Sequence, residues 1–310
     1  MIVTLAGGVG GSRFLEGVVQ LVAPEQITAV VNTGDDITLH GLYISPDVDI
    51  VTYTLAGIIE ETHGWGVRGD TGNVMDMLKT LGAEGWFFLG DRDMATHIRR
   101  TELLRAGKTP VEVADLFRRA LGVAVRILPM TNDPFATHIQ TPGGLIHFQN
   151  YLVERRAQDE VLGVEYIGAD TAQPAPGLLE LLRDAEAILI APSNPIVSVG
   201  TILALPGVRD TIVNGSAPVV AVSPIVGGAP IKGPAAPLLR SAGFEVSALG
   251  VAHCYRELVD VLVIDHADAE LAEPIRALGL DVIVTDTIMR GPTEKRALAQ
   301  AALDAARAHA

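Results

Sequence analysis

Cysteine is almost absent from this sequence, since Cys254 is the only one among 310 residues. A single thiol excludes an internal disulfide and agrees with a reducing compartment. Long apolar runs are also missing, because none approaches the roughly 18 residues of a membrane-spanning helix. The chain opens directly into a predicted strand, without a basic and then apolar leader. We therefore expect a cytoplasmic protein that does not insert into a membrane.

Basic residues are few, with 23 Lys and Arg against 37 Asp and Glu, which gives a formal net charge of -14. Binding to nucleic acid requires a basic face, so we expect no nucleic-acid partner. A small phosphorylated ligand remains compatible with this charge, because backbone N–H groups and a metal can hold it. The 48% hydrophobic content is ample for a sizeable core, and the length fits one large α/β domain or two smaller ones.

A glycine-rich loop follows the first predicted strand. Residues 2–6 are apolar, Gly7-Gly8-Val9-Gly10-Gly11 follow, and apolar residues from position 14 to 22 then recur at helical spacing. Strand, glycine loop and helix N-terminus together form a cradle for phosphate. The loop is not a dinucleotide fingerprint, because Arg13 stands at the third glycine position. Arg13 is a candidate phosphate ligand, and a tight turn with a surface arginine is the alternative.

The second predicted strand, residues 27–31, is followed at once by polar residues. Asn32-Thr33-Gly34-Asp35-Asp36 comes first, and Pro46-Asp47-Val48-Asp49 lies a short step downstream. In an open α/β sheet, ligands bind beyond the carboxyl ends of the strands. Four carboxylates at such an edge repel one another unless a cation or hydrogen-bond donors offset the charge. Because Mg²⁺ prefers oxygen ligands, the pattern predicts a metal–phosphate site. A solvated turn is the alternative.

From about residue 185 onward, predicted strands and helices alternate regularly. Apolar runs at 187–190, 219–222, 261–264 and 281–284 end in small polar or acidic residues. This pattern predicts an α/β fold, a Rossmann-like parallel sheet with helices on both faces. We expect one domain over 1–310, with about 50–165 as an inserted, mostly helical cap. Within it, 51–56 leads into a helix, and Thr109-Pro110 begins another as N-cap and first helical residue.

Several other segments carry candidate ligands. Phe87 and Phe88 precede Asp91-Arg92-Asp93, and Trp65 stands between two glycines; the aromatic rings suit stacking on a flat ligand. Arg92 between two carboxylates favours a structural ion pair. The loop 225–234 contains Lys232 and is equally compatible with an anion cradle and a solvated surface loop. The spacing of His97, His138 and His147 is not that of metal ligands, and nothing around Cys254 indicates thiol catalysis.

Taken together, these motifs resemble the 2-phospho-L-lactate transferase family, whose members act in making the deazaflavin coenzyme F-420. The match covers nearly the whole chain in order. The matching segments are Ala6 to Leu15, Val31 to Asp36 with His40-Gly41, Pro46 to Asp49, Tyr53-Thr54-Leu55, Gly64-Trp65-Gly66, Leu89 to Asp93 with Ala95-Thr96-His97, Leu128-Pro129-Met130, Ala191 to Pro195 and Ser223-Pro224-Ile225.

The resemblance implies a reaction. A guanosine diphosphate-linked donor carries a lactyl, enolpyruvyl or related three-carbon acid on its outer phosphate. The ribityl 5′-hydroxyl of 7,8-didemethyl-8-hydroxy-5-deazariboflavin attacks that phosphorus, and GMP leaves. Family members use magnesium, have a Rossmann-like core and are often dimers, so the resemblance implies a Mg²⁺-dependent homodimer with small-molecule substrates.

The resemblance also implies site residues. Asp35 and Asp49 are the expected metal carboxylates, and Asp49 is the expected catalytic residue near the acceptor hydroxyl. The expected acceptor-binding residues are Asp49, Trp65, Phe88 and Arg92. The expected donor-binding residues are Gly8, Gly10, Gly11, Arg13, Asn32, Asp36, Ser193 and Asn194.

The sequence departs from the family pattern at Thr38, Ser45 and Asn132, which leaves the identity of the three-carbon acid open. Two other functions remain as alternatives. One is a non-catalytic regulator that binds a nucleotide sugar with a similar glycine loop. The other is a nicotinamide-dependent oxidoreductase, against which the missing third glycine counts.

Overall fold

Seven parallel strands form the centre of the computed structural model, which describes residues 1–310. The strands along the chain are β1 (Ile2–Ala6), β2 (Ile27–Val31), β3 (Ile37–Leu39), β4 (Leu42–Ile44), β5 (Arg126–Pro129), β6 (Ala136–Thr141), β7 (Gly144–His147), β8 (Gly163–Ile167), β9 (Ala187–Ile190), β10 (Val219–Val222), β11 (Ile225–Val226), β12 (Ala229–Pro230), β13 (Val261–Asp265) and β14 (Asp281–Thr285). The central sheet has the order β14-β13-β10-β9-β1-β2-β5. Two small hairpins, β3-β4 and β11-β12, and a three-stranded antiparallel sheet, β7-β6-β8, complete the strands.

Helices cover both faces of the central sheet. They are α1 (Gly8–Val18), α2 (Pro46–Leu55), α3 (Asn73–Thr80), α4 (Asp91–Arg105), α5 (Pro110–Ala120), α6 (Leu178–Arg183), α7 (Thr201–Leu203), α8 (Val208–Val213), α9 (Ala235–Ser241), α10 (Ala248–Cys254), α11 (Ala272–Arg276) and α12 (Pro292–Ala308). None of them combines the length and the apolar character that crossing a bilayer requires.

Side chains of the central strands alternate between two apolar cores. Val3 and Leu5 of β1 belong to the larger core, whereas Ile2 and Ala6 belong to the core on the opposite face. Such alternation follows from the two-residue period of a strand, and continuous apolar runs are typical of parallel strands that are buried on both faces. The predicted α/β fold with helices on both faces is therefore confirmed.

The strand order reverses between β1 and β9. From β1 the chain adds β2 and β5 on one side, while β9, β10, β13 and β14 extend the sheet on the other. The connections leaving β1 and β9 therefore diverge and open a crevice at their carboxyl ends, where ligands bind in sheets of this type. The glycine loop after β1 and the Ser193-Asn194 segment after β9 border this crevice.

The region from 50 to 165 holds most of α2, all of α3 to α5, and four strands. One of them, β5, pairs with β2 and forms an edge of the central sheet, whereas β6 and β7 pair outside it. The helix expected after residues 51–56 in fact begins at Pro46, includes residues 51–55 and ends with Ala56 as its C-cap. Pro46 occupies the first turn, where a missing N–H costs nothing, and the helix dipole favours Asp47 and Asp49 beside it.

Helix α5 begins as the sequence predicts. The Thr109 hydroxyl accepts the Glu112 N–H at 3.2 Å, and the Glu112 carboxylate accepts the Thr109 N–H at 2.8 Å. This reciprocal capping box satisfies two backbone donors that the first turn leaves unpaired.

Helix α1 is held against α12 by a close backbone contact, which yields a test of the fold. A Cβ atom at Gly17 would overlap the carbonyl group of Lys295, whereas one at Gly143 would meet only the Thr141 hydroxyl, at 3.6 Å. We expect Gly17→Ala to lower the free energy of unfolding by about 1–3 kcal/mol, the usual cost of overpacking. Chemical denaturation measures it, and Gly143→Ala is the matched control. Equal stability of the two variants would contradict this packing.

Candidate active site

The predicted glycine loop, Gly7 to Gly11, in fact forms the N-cap and first turn of α1, and the segment after β9 is hydrogen-bonded to it across the crevice. The Gly7 N–H donates to Ser193 Oγ at 3.1 Å, and the Ser193 hydroxyl donates back to the Gly7 carbonyl at 2.8 Å. A Cβ at Gly11 would lie 2.9 Å from Ser193 Oγ, and one at Gly10 would overlap the Pro192 carbonyl. Gly8 has a φ of 60°, which favours glycine. The structure thus brings these predicted donor-binding residues together at the N-terminus of α1, a favourable place for phosphate.

Two predicted donor-binding amides also make bonds within the protein. Asn194 Oδ1 accepts the N–H groups of Ile196 and Val197, at 2.9 and 3.2 Å, and begins the helical turn that follows. Asn32 Oδ1 accepts from the Gly34 N–H at 2.7 Å and from the Thr201 hydroxyl at 2.8 Å. Because both residues bond backbone groups, their contacts establish the shape of the crevice.

Asp35 and Asp47 are buried at the same end of the sheet. Asn32 Nδ2 donates to Asp47 Oδ2 at 2.9 Å, whereas Asp35 Oδ1 has no hydrogen-bond partner although it is buried. Burial raises the pKa of Asp35 well above its usual value, and the charge of Asp47 raises it further. Burial also raises the pKa of Asp47 to about 6, opposed by its bonds to Asn32 and Gly8. A buried acceptor without a donor beside a second carboxylate fits a bound cation.

Asp36 has two donors of its own. The Ser45 hydroxyl donates to Oδ1 at 2.7 Å, and the Tyr43 hydroxyl donates to Oδ2 at 2.9 Å. Burial raises the pKa of Asp36 to about 8, and these two hydrogen bonds oppose the rise. Ser45, one of the departures from the family pattern, therefore stabilises a carboxylate of the site. Another departure, Asn132, lies elsewhere and accepts the Val111 N–H at 3.0 Å, while Thr38 lies on β3.

Asp49 forms a buried ion pair with Arg100 of α4. Arg100 Nη1 donates to Asp49 Oδ2 at 2.9 Å, and Nη2 donates to Oδ1. His97 lies between two carboxylates, with Nδ1 3.8 Å from Asp49 and Nε2 3.3 Å from Asp93. Asp49, Asp93 and His97 have ligand atoms close enough to hold one ion, and this group does not include Asp35.

No motif in the sequence points to Arg100, and the spacing of the histidines predicts no metal role for His97. Asp93, His97 and Arg100 are spaced by four and three residues, so they lie on one face of α4. That spacing was the available signal, but only the packing of α4 places this face against Asp49.

Two residues of the antiparallel sheet, together with Gln149 just after β7, hold the acidic turn by its backbone. The Thr137 N–H donates to the Gly34 carbonyl at 2.7 Å, and Gln149 Nε2 donates to the Asp35 carbonyl at 3.3 Å. His147 Nδ1 accepts the Gln149 N–H at 3.1 Å, so Nε2 carries the proton and donates to the Asp36 carbonyl at 3.2 Å. Three successive carbonyl groups are thereby held by residues for which the sequence predicts no role.

Trp65 and Phe88 lie together beside the glycine loop. Their ring centroids are 6.4 Å apart, and the two residues are 43% and 46% exposed. A Cβ at Gly64 would lie 2.7 Å from the Val9 side chain, so the loop that carries Trp65 rests on the glycine loop. Two of the predicted acceptor-binding residues therefore lie next to the predicted donor-binding loop.

Arg92 does not form the predicted ion pair. Its guanidinium donates to the Arg68 carbonyl at 3.3 Å, because Asp91 instead caps α3 through the Val74 N–H at 2.9 Å. Arg92 and Arg68 line an open cavity of about 500 Å³, together with Tyr53, Thr96, Val67 and Leu121. The Tyr53 hydroxyl donates to Asp93 at 2.8 Å, which links this cavity to the buried group around Asp49.

Solved structures with a similar fold cover nearly the whole chain. Protein BH3568 from Bacillus halodurans, described as a member of the UPF0052 family, superposes with a TM-score of 0.66 over 97% of this chain and 98% of its own, at 18% identity. At this identity the likeness concerns the fold alone.

Sequence comparison is more specific. The profile of the family described as 2-phospho-L-lactate transferase CofD matches residues 2–299. A protein of Streptomyces griseus named phosphoenolpyruvate transferase is 44% identical, over 98% of both chains. Proteins named 2-phospho-L-lactate transferase are 38% identical in Methanosarcina mazei and 42% identical in Methanothermobacter thermautotrophicus, over 98% and 97% of this chain and 100% and 96% of theirs. The chain therefore belongs to the CofD family of 2-phospho-L-lactate transferases, and it is a transferase of coenzyme F-420 biosynthesis.

Proposed function

We propose that this protein transfers a phospho-three-carbon-acid group from a guanosine diphosphate-linked donor to the ribityl 5′-hydroxyl of 7,8-didemethyl-8-hydroxy-5-deazariboflavin, with release of GMP. The acid is 2-phospholactyl, enolpyruvyl phosphate or a close relative. The observation that carries the proposal is the convergence of three parts at one crevice. They are the glycine loop, the buried carboxylates and the loop that carries Trp65.

The donor's diphosphate would lie at the N-terminus of α1. Gly10 and Gly11 have no room for a side chain, because Pro192 and Ser193 pack against them, and Ser193 fixes Gly7. Transfer from a diphosphate depends on alignment and on neutralising charge more than on covalent help from the protein. Backbone N–H groups at this helix terminus would supply part of both.

The acidic residues of the crevice fit Mg²⁺. The unpartnered, buried Asp35 Oδ1 is the strongest single indication, and the repulsion between Asp35 and Asp47 is a second. We propose that Asp35 and Asp49 hold the ion, with Asp47 as the competing second carboxylate. When bound, Mg²⁺ would neutralise the diphosphate and polarise the phosphoryl group that is transferred.

The acceptor would bind across the cavity of Arg92 and the exposed rings of Trp65 and Phe88. A flat, polar ring system suits both features, because aromatic rings offer stacking faces and the arginines offer hydrogen bonds. Asp49 would lie near the attacking hydroxyl, where its carboxylate could accept the proton. Arg100 would hold that carboxylate in one orientation.

Release of GMP tests the function directly. We expect GMP to appear, by chromatography, when the protein is incubated with Mg²⁺, the deazaflavin acceptor and the guanosine diphosphate-linked acid, and to disappear when the acceptor is omitted. The exposed variant Asp76→Asn is a control that should retain wild-type rates. A folded protein that binds the donor and releases no GMP would instead support the non-catalytic regulator.

Asp35→Asn should stabilise the metal-free protein while it abolishes Mg²⁺ binding. An acid whose pKa is raised in the folded state contributes stability below its unfolded pKa, near 4, and loses it as the pH rises through the folded value. In the presence of EDTA we therefore expect the free energy of unfolding of the variant to rise relative to that of wild type between pH 5 and pH 8. The expected gain is on the order of 1–3 kcal/mol, the cost of a buried polar atom without a partner.

Thermal and urea unfolding at the two pH values measure this difference. A variant that is no more stable than wild type at pH 8 would show that the Asp35 carboxylate is not under repulsion. A variant that is more stable and still binds Mg²⁺ would remove Asp35 from the metal site.

Asp47→Asn and Asp49→Asn form a matched pair from the same turn of α2. We expect Asp49→Asn to weaken Mg²⁺ binding by about tenfold or more, since it removes one of two charged ligands, and to reduce turnover. Calorimetric titration of Mg²⁺ in the presence of GDP measures the affinity. If Asp47→Asn loses the ion and Asp49→Asn retains it, then Asp47 is the second ligand and Asp49 is not.

The cytoplasmic location and the homodimer stay predictions.

A further inference from the structure

Two cations from distant segments of the chain meet at one short loop. Lys232 Nζ donates to the His63 carbonyl, and Arg13 Nη2 donates to the Glu61 carbonyl at 3.5 Å. Neither cation forms an ion pair, because the Glu61 carboxylate binds Arg68 instead, at 3.2 Å. Carbonyl oxygens are dipoles and leave the net positive charge of both side chains uncompensated.

Both contacts lie at the surface, with Lys232 exposed and Arg13 half-buried, so an anionic ligand can reach the two side chains. Burial lowers the pKa of Lys232, and the nearby charge of Arg13 lowers it further. The protein has 37 acidic and 23 basic residues, so carboxylates are abundant as counter-ions. Two neighbouring cations that nonetheless lack a carboxylate indicate a place where an anionic ligand supplies the missing charge.

The position of the pair relates it to both substrates. Arg13 belongs to α1, two residues after the last glycine of the glycine loop. The loop from 60 to 66 accepts hydrogen bonds from both cations, rests on Val9 through Gly64, and carries Trp65. The cations therefore contact the loop that joins the segment proposed to hold the diphosphate to the ring proposed to face the acceptor.

We propose that Arg13 and Lys232 form a subsite for the carboxylate of the three-carbon acid that is transferred. This inference rests on the proposed function. The donor then carries two phosphates and one carboxylate, and the carboxylate extends beyond the outer phosphate, toward the acceptor. The first turn of α1 and the acidic residues with their ion serve the diphosphate, which leaves the carboxylate for the cation pair. A planar guanidinium and an ammonium group are both suited to a carboxylate.

Binding of matched ligands tests the subsite without turnover. The probes are GDP, the lactyl ester of GDP on its outer phosphate, and the same ester with the carboxylate converted to a carboxamide, each titrated calorimetrically with Mg²⁺ and without acceptor. We expect wild type to bind the carboxylate ester about tenfold or more tightly than the carboxamide, as charged hydrogen bonds imply. Lys232→Gln should lose this preference and bind GDP as wild type does, and Lys232→Arg should restore part of it.

Lys108→Gln, at an exposed lysine after α4, is the matched control and should retain the preference. Equal binding of ester and carboxamide by wild type would overturn the subsite, while GMP release in the activity assay would leave the proposed function standing. If Lys232→Gln weakened the binding of all three ligands equally, the cation pair would belong to the diphosphate site. That result would also overturn the carboxylate subsite. If wild type bound none of the probes and released no GMP, the proposed function itself would fail.

Discussion

Repulsion among buried carboxylates is the constraint on which the site depends. Asp35, Asp36, Asp47 and Asp49 are all less than 10% exposed at one end of the sheet. Three of them have donors within the protein: Asp36 has Tyr43 and Ser45, Asp47 has Asn32, and Asp49 has Arg100. Asp35 alone keeps a buried oxygen without a partner. A chain selected only for stability would avoid such an atom, so its presence indicates a ligand.

The surrounding structure resists this repulsion through the backbone. Thr137 and His147 of the antiparallel sheet hold the carbonyl groups of Gly34 and Asp36, and Gln149 after β7 holds that of Asp35. Asn32 bonds the turn to α2 and to Thr201. These bonds leave the turn little freedom to open and move the carboxylates apart. The functional site is thus rigid where the charges are concentrated, as a preorganised electrostatic site requires.

The buried carboxylates and the two cations without an ion pair, Arg13 and Lys232, lie in different parts of the site. The carboxylates follow β2 and begin α2, whereas Arg13 and Lys232 meet at the loop of residues 60–66. The glycine loop lies between them, since Gly8 is near Asp47 and Val9 contacts Gly64. If the carboxylates hold the proposed Mg²⁺, a substrate with several anionic groups would contact that ion on one side and Arg13 and Lys232 on the other. An overall charge of -14 conceals this local order.

Sequence alone determined the fold class and the segments of the site. Apolar runs followed by polar residues predict parallel strands, and such strands carry their polar ends to one edge whatever their order, so the glycine loop, Asp35 and Ser193 could be expected to lie together. Tertiary structure alone decided the pairings across that edge. Arg100 with Asp49, His147 with Asp36 and Lys232 with the His63 carbonyl join residues 51, 111 and 169 positions apart. Local periodicity contains no information on such pairs, because they follow from the order of strands in the sheet and from how the helices pack on it.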